Sequence, residues 1–183
     1  MRADKFRHLL FLLLLVPACF YGQKYSTRNG RLKFEASVPA FEEVAAVNKA
    51  ASAALEASTG DLAVLALMKG FRFKVALMEE HFNENYVESD KFPKATFKGK
   101  IEGFDMSKLS AEAKSFTISG DLTLHGKTKK ITDTATIATT GNTLTITGNF
   151  TVKPSDFDIE VPKVVSNKVA GEVKINYEFS LSK

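Results

Sequence analysis

The chain has 183 residues, 44% hydrophobic and 25% charged, with one cysteine and no tryptophan. That length and apolar share suffice for one domain with a genuine core, and they exclude a disordered or disulfide-stapled chain. The net charge of +4 comes from 25 basic and 21 acidic residues with their signs interspersed, which describes a solvated surface and excludes a nucleic-acid footprint.

The first element in chain order is a targeting segment. Arg2, Lys5 and Arg7 precede the unbroken apolar run from Leu9 to Val16, the basic start and short apolar core of an export signal. The run is too short to cross a bilayer, which takes roughly 20 apolar residues, so no transmembrane segment is expected once the signal is removed. Cutting after Gly22 assigns residues 1–22 to a signal peptide and 23–183 to the mature domain, bound for the periplasm or the exterior. The alternative is a lipoprotein acylated at Cys19, in the sequence Val16, Pro17, Ala18, Cys19. Without the signal the net charge falls to about +2, and the mature chain has no cysteine for a disulfide, a thiolate metal site or a thiol nucleophile.

From Arg31 onward the dominant signal is alternation with a period of two, which places every second side chain on one face of a sheet. Leu32, Phe34, Ala36 and Val38 share one face, and Phe71, Phe73 and Val75 a second. Ala95, Phe97, Gly99 and Ile101 follow, then Phe116, Ile118, Gly120, Leu122 and Leu124. Ile131, Ala135 and Ile137 alternate with threonines, Leu144 to Val152 repeats the pattern, and Val169 to Leu181 closes it with Val173, Ile175, Tyr177 and Phe179 inward. Turn residues stand where these strands must reverse, at Gly60-Asp61, around Gly126, and at Gly141-Asn142. The order is a string of hairpins with no room for the crossover helices of a parallel sheet.

Two stretches depart from the pattern. Phe41 to Ser58 is alanine-rich with high helix propensity, and its apolar residues fall at roughly helical spacing. It also runs straight into the turn at Gly60, which suits a hairpin, so Val44 to Leu55 reads as strand or as helix. Ala76 to Asn85 is the better helix, with Leu77, Met78 and Phe82 apolar and Glu79, Glu80 and Glu84 charged; Pro93 keeps the chain extended beyond it. Inward glycines such as Gly99, Gly120 and Gly148 mark either tight curvature or space beside the backbone.

Three segments carry a resemblance to a known family. LMEEHFNENYVES at Leu77 to Ser89, continued by DKFPKATFKG, resembles the central signature of the YceI-like family; GDLTLHGKTKKI at Gly120 to Ile131 resembles its second, and PSDFDI at Pro154 to Ile159 its third. The likeness runs from about Leu32 to the C-terminus. It implies an all-β, eight-stranded antiparallel lipocalin-like barrel with one short helical insertion, exported in bacteria, whose apolar tunnel binds a polyisoprenoid, isoprenoid quinone or similar amphiphile. It also implies that the alanine-rich segment is one arm of a hairpin, even though Ala45, Ala46, Ala50, Ala51, Ala53 and Ala54 stand where other members have bulkier residues.

On this reading the cavity lining is Phe34, Phe71, Phe73, Met78, Phe82, Phe97, Ile101, Leu122, Phe150, Phe157 and Tyr177, with Tyr86, Lys91 and Lys98 set to meet a headgroup. The plain counter-reading is that these side chains interlock as an ordinary core, since a small barrel can be filled by its own residues. No catalytic site is expected: His81 and His125 lack metal-ligand spacing, Asp156 and Asp158 suit a turn, and no acid, base and nucleophile set can be assembled. No metal or cofactor is expected beyond the bound lipid. A homodimer is compatible with this pattern. A reading of a different class is a ligand-free structural or stress-associated interaction module of the envelope.

Overall fold

The computed structural model describes residues 23–183; the expected signal peptide and Cys19 lie outside the described residues. The strands are β1 (Lys24–Ser37), β2 (Ala45–Glu56), β3 (Asp61–Leu67), β4 (Arg72–Phe73), β5 (Lys94–Ile101), β6 (Lys114–Leu124), β7 (Lys127–Thr140), β8 (Thr143–Val152) and β9 (Val169–Ser182). Apart from the two-residue β4, each pairs antiparallel with its neighbour in the chain. β1 takes β2 on one edge and β9 on the other, which closes an eight-stranded barrel. Closure leaves none of the eight barrel strands as an edge.

The hairpin turns follow their residues. His125 and Gly126 both have positive φ, at 50° and 73°, as the tight two-residue reversal of the primed type between β6 and β7 demands. At the β7–β8 reversal Gly141, at φ 60°, takes the left-handed position, the arrangement in which glycine comes first.

The alanine-rich segment is strand β2, and the reason lies in its neighbours. Ala46 pairs with Phe34 of β1 on one side and Phe73 of β4 on the other, and Ala51 pairs with Gly30. Small side chains there let large rings from adjacent strands cross over the backbone: Phe34 and Phe73 meet edge-on at 5.4 Å. Helix propensity is a weak preference that such packing overrides. Ala46, Ala51 and Ala53 are buried, and none of the six alanines lines the cavity.

The strand expected at Phe71 to Val75 shrinks to β4. Asn48, 1% exposed, donates from its side chain to the Leu67 carbonyl and accepts from the Ala50 amide. The β1–β2 register shifts between Gly30 and Leu32, opposite this point. Past that irregularity β2 has lost β3, and a single 3₁₀ turn (Met68–Gly70) carries the chain to pair briefly with Ala46 and Val47. Helix α1 (Ala76–His81) follows and continues as one widened turn through Tyr86. It lays Met78 and Phe82 toward the barrel, whereas Leu77, expected on the apolar face, is 56% exposed. Among the described residues no helix is long and apolar enough to cross a membrane.

One end of the barrel is packed solid. Tyr25, Leu55, Ile101, Ile137, Leu144, Ile146 and Leu181 are all at most 5% exposed there. The other end is open.

Candidate functional site: a cavity in the open half of the barrel

The open half encloses a cavity of about 510 Å³. Its walls come from inward residues of the strands, chiefly Leu32, Val64, Phe97, Leu122, Phe150 and Ile175, and it is bounded by Met78 and Phe82 of the helical insertion and by Phe157 and Ile159 from the segment before β9. The exposed residues Phe41, Glu42, His81 and Lys168 also border it, and they mark its mouth.

A cluster of four phenylalanines joins the insertion to the barrel. Phe34 stacks on Phe82 at 5.3 Å, Phe73 meets Phe82 at 5.2 Å, and Phe71 lies 5.6 Å from Phe34. Each such ring pair contributes about 0.5–1.5 kcal/mol beyond its burial. The insertion is also tied by polar contacts: Glu79 accepts from the Arg72 guanidinium at 2.6 Å and from the Phe73 amide at 3.1 Å. Glu79 thus holds the start of the insertion to β4 instead of facing only solvent.

The three segments that carried the family resemblance meet at His125. Its Nδ1 lies 2.9 Å from the Phe157 carbonyl oxygen and its Nε2 2.8 Å from the Glu88 carboxylate, while the Phe92 ring packs edge-on against it at 4.4 Å. The hydrogen bond from His125 is the main cause holding the Glu88 carboxyl below its ordinary range. Lys127 meets Asp158 at 2.8 Å beside this junction. The imidazole therefore fastens the end of the helical insertion and the Phe157 turn to the β6–β7 hairpin. It has a positioning role, and it is not among the residues that border the cavity.

Of the residues expected from sequence, Phe34, Phe71, Phe73, Met78, Phe82, Phe97, Leu122, Phe150, Phe157 and Tyr177 all border the cavity, as does Tyr86. Ile101 does not. It is wholly buried in the closed end, where its amide donates to the Gly60 carbonyl and it pairs with Ile118; alternation identifies the inward face but not the depth along the barrel. Lys98 points outward, because it alternates with the inward Phe97 and Gly99, and it pairs between Ala63 and Asp121. Lys91 is likewise outside, beside Glu88 and over the Phe92 ring.

One polar residue of the interior was missed. Asp133 shares the inward parity of Ile131, Ala135 and Ile137 and borders the cavity, where its Oδ2 accepts a hydrogen bond from the Tyr177 hydroxyl at 2.6 Å. Burial, reinforced by this contact, pushes the Tyr177 pKa strongly upward, so the phenol stays a donor. The signal was legible as a carboxylate on an otherwise apolar row. Among the described residues no three His, Cys, Asp or Glu come together as a metal site requires.

A closed antiparallel barrel, solid at one end and hollow and apolar at the other under a short helical insertion, defines a lipocalin-like fold. Residues 23–181 match the model of the YceI-like domain. The chain belongs to that family. Among solved structures it is similar to a polyisoprenoid binding domain from Saccharophagus degradans implicated in plant cell wall breakdown, at 13% identity and TM-score 0.74, covering 87% of this chain and 97% of that one. It is also similar to BcnA from Burkholderia cenocepacia, at 19% identity and TM-score 0.68 over 84% of this chain and 96% of that one. The YceI protein of Campylobacter jejuni follows at 18% identity and TM-score 0.60, over 74% and 82%. These identities speak to the fold. No curated protein matches the chain.

Proposed function

We propose that this chain is an exported, non-catalytic lipid-binding protein that holds a polyisoprenoid, an isoprenoid quinone or a similar amphiphile in its barrel and carries or stores it in the cell envelope. The observation that carries this reading is the cavity of about 510 Å³ walled mainly by Phe, Leu, Ile, Val and Met side chains. That volume falls within the roughly 300–1,000 Å³ of small-molecule sites. Burying an apolar tail yields about 25 cal/mol per Å², so ~300 Å² supplies on the order of 7 kcal/mol before association costs. Affinity of this kind needs few directed polar contacts, in keeping with the walls.

The likeness to a structure described as a polyisoprenoid binding domain supports the ligand class. The basic start and apolar run from Leu9 to Val16 support export to the periplasm or beyond. The test is native mass spectrometry of the protein purified from a bacterial envelope, followed by organic extraction and reloading of the stripped protein with geranylgeraniol. A co-purifying lipid mass and saturable reloading are expected. A bare polypeptide mass together with no uptake of any 20-carbon isoprenoid sinks the reading.

A further inference from the structure

We infer that Asp133 and Tyr177 form a polar recognition point inside the apolar cavity, one that accepts a hydrogen bond from the ligand and so selects an amphiphile with an uncharged or cationic donor group, a hydroxyl, amide or amine, over a phosphate or carboxylate. This inference rests on the lipid-binding reading above and sharpens it.

The position is set by the barrel. Tyr177 of β9 pairs with Gly148 of β8, and a side chain on Gly148 would collide with the Tyr177 hydroxyl and approach Asp133 Oδ2 at 2.8 Å. The bare glycine lets the phenol reach past β8 to β7 and meet the carboxylate at 2.6 Å. Phe179, two positions along, stacks on the Tyr177 ring at 5.6 Å and is 3% exposed. Ile118, opposite Asp133 on β6, is 4% exposed. The pair therefore sits at the inner end of the cavity, just above the packed half of the barrel.

The hydrogen-bond inventory decides what it recognises. Asp133 Oδ1 accepts from the Thr134 amide at 2.7 Å and Oδ2 from Tyr177, and each carboxylate oxygen keeps a second lone-pair direction. The phenol has spent its one proton on Asp133 and retains an acceptor oxygen. The pair thus presents acceptors and no free donor. A ligand hydroxyl or N–H completes it. A quinone carbonyl finds nothing to accept from, and an anionic group brings only further acceptors and a like charge to the carboxylate.

The experiment compares three probes with one 20-carbon isoprenoid skeleton: geranylgeraniol, geranylgeranyl phosphate and the saturated parent hydrocarbon phytane. Each is titrated into the stripped full-length mature protein and scored by displacement of a fluorescent lipid. The alcohol is expected to bind about tenfold or more tightly than either competitor. Replacing both partners, Asp133→Leu with Tyr177→Phe, strands no buried polar atom and is expected to bring the alcohol down to the hydrocarbon's level while leaving the hydrocarbon within about threefold. Asp133→Asn, which keeps the shape and adds a donor, is expected to narrow the gap between phosphate and alcohol about tenfold, and it serves if the double variant does not fold by circular dichroism. Equal binding of the three probes by the wild type, or an alcohol preference that survives the variants, overturns the recognition point and leaves the carrier reading standing. Binding of none of the three overturns both.

Discussion

At the scale of single residues, the interior is shaped as much by missing side chains as by large ones. Gly99 and Gly120 face each other across β5 and β6, and the Phe97 ring lies over them, 2.5 Å and 2.7 Å from where their Cβ atoms would stand. A methyl on Gly120 would also press on the Lys98 carbonyl at 2.5 Å, and backbone cannot swing away as a side chain can. Gly120→Ala is expected to cost about 1–3 kcal/mol in urea unfolding through overpacking, and to shift the Phe97 ring into the cavity. Gly171→Ala, where nothing lies within 4 Å, should cost far less, and equal losses at the two positions would refute this account of Gly120. The alternation that placed these glycines inward was readable from sequence. Which of them are pressed by a neighbour depends on cross-strand register, which alternation does not specify.

The elements around the mouth are held by a few polar ties. Asn48 fixes the irregularity at which β2 exchanges β3 for β4, and Asn48→Ala strands the Leu67 carbonyl and the Ala50 amide that it satisfies. A loss of about 1–3 kcal/mol is expected in the same urea assay. His125, whose side chain is 9% exposed, ties Glu88 and Phe157 to the β6–β7 hairpin. His125→Ala should lower the thermal midpoint by about 3–8 °C and raise hydrogen-exchange rates at residues 82–92 and 153–158 ahead of the strands. The pH dependence follows from the carboxylates at this junction. Glu88 and Asp158 are held below their ordinary values of 4.5 and 3.8, mainly by hydrogen bonds from His125 and Lys127 respectively. A depressed carboxylate contributes stability that is present above its unfolded pKa and is lost as pH falls through its folded one. The midpoint should therefore drop below about pH 4, and Glu88→Gln should show a shallower drop than the wild type. The helical insertion and the β2 hairpin were both open to the sequence reading, the first from its own apolar spacing, the second only through the family resemblance.

For the molecule as a whole, a ligand that enters the folded barrel and not the unfolded chain must stabilise it by mass action. At about one hundred times its dissociation constant, the alcohol should add roughly 2.7 kcal/mol, read as a rise in the melting midpoint that grows with ligand concentration. Because the driving force is apolar burial, the gain should change little between 0.05 and 0.5 M salt, whereas attraction to surface charge would be screened away. A midpoint that ignores ligand concentration would speak for a barrel filled by its own side chains.

The sequence by itself determined β1 and the strands from β5 onward with their inward faces, but not β2 or the short β4, because alternation and turn chemistry are local and the alanine-rich segment carries no such signal. It also held the three segments whose likeness points to the YceI-like family. Only the tertiary structure decided that Ile101 lies in the packed half and Phe97 in the hollow one, that Lys91 and Lys98 stand outside, and that Asp133 meets Tyr177 across a glycine. Those are questions of depth, stagger and contact between strands far apart in the chain. They are settled by how eight strands tilt and close around one axis, which no single strand encodes.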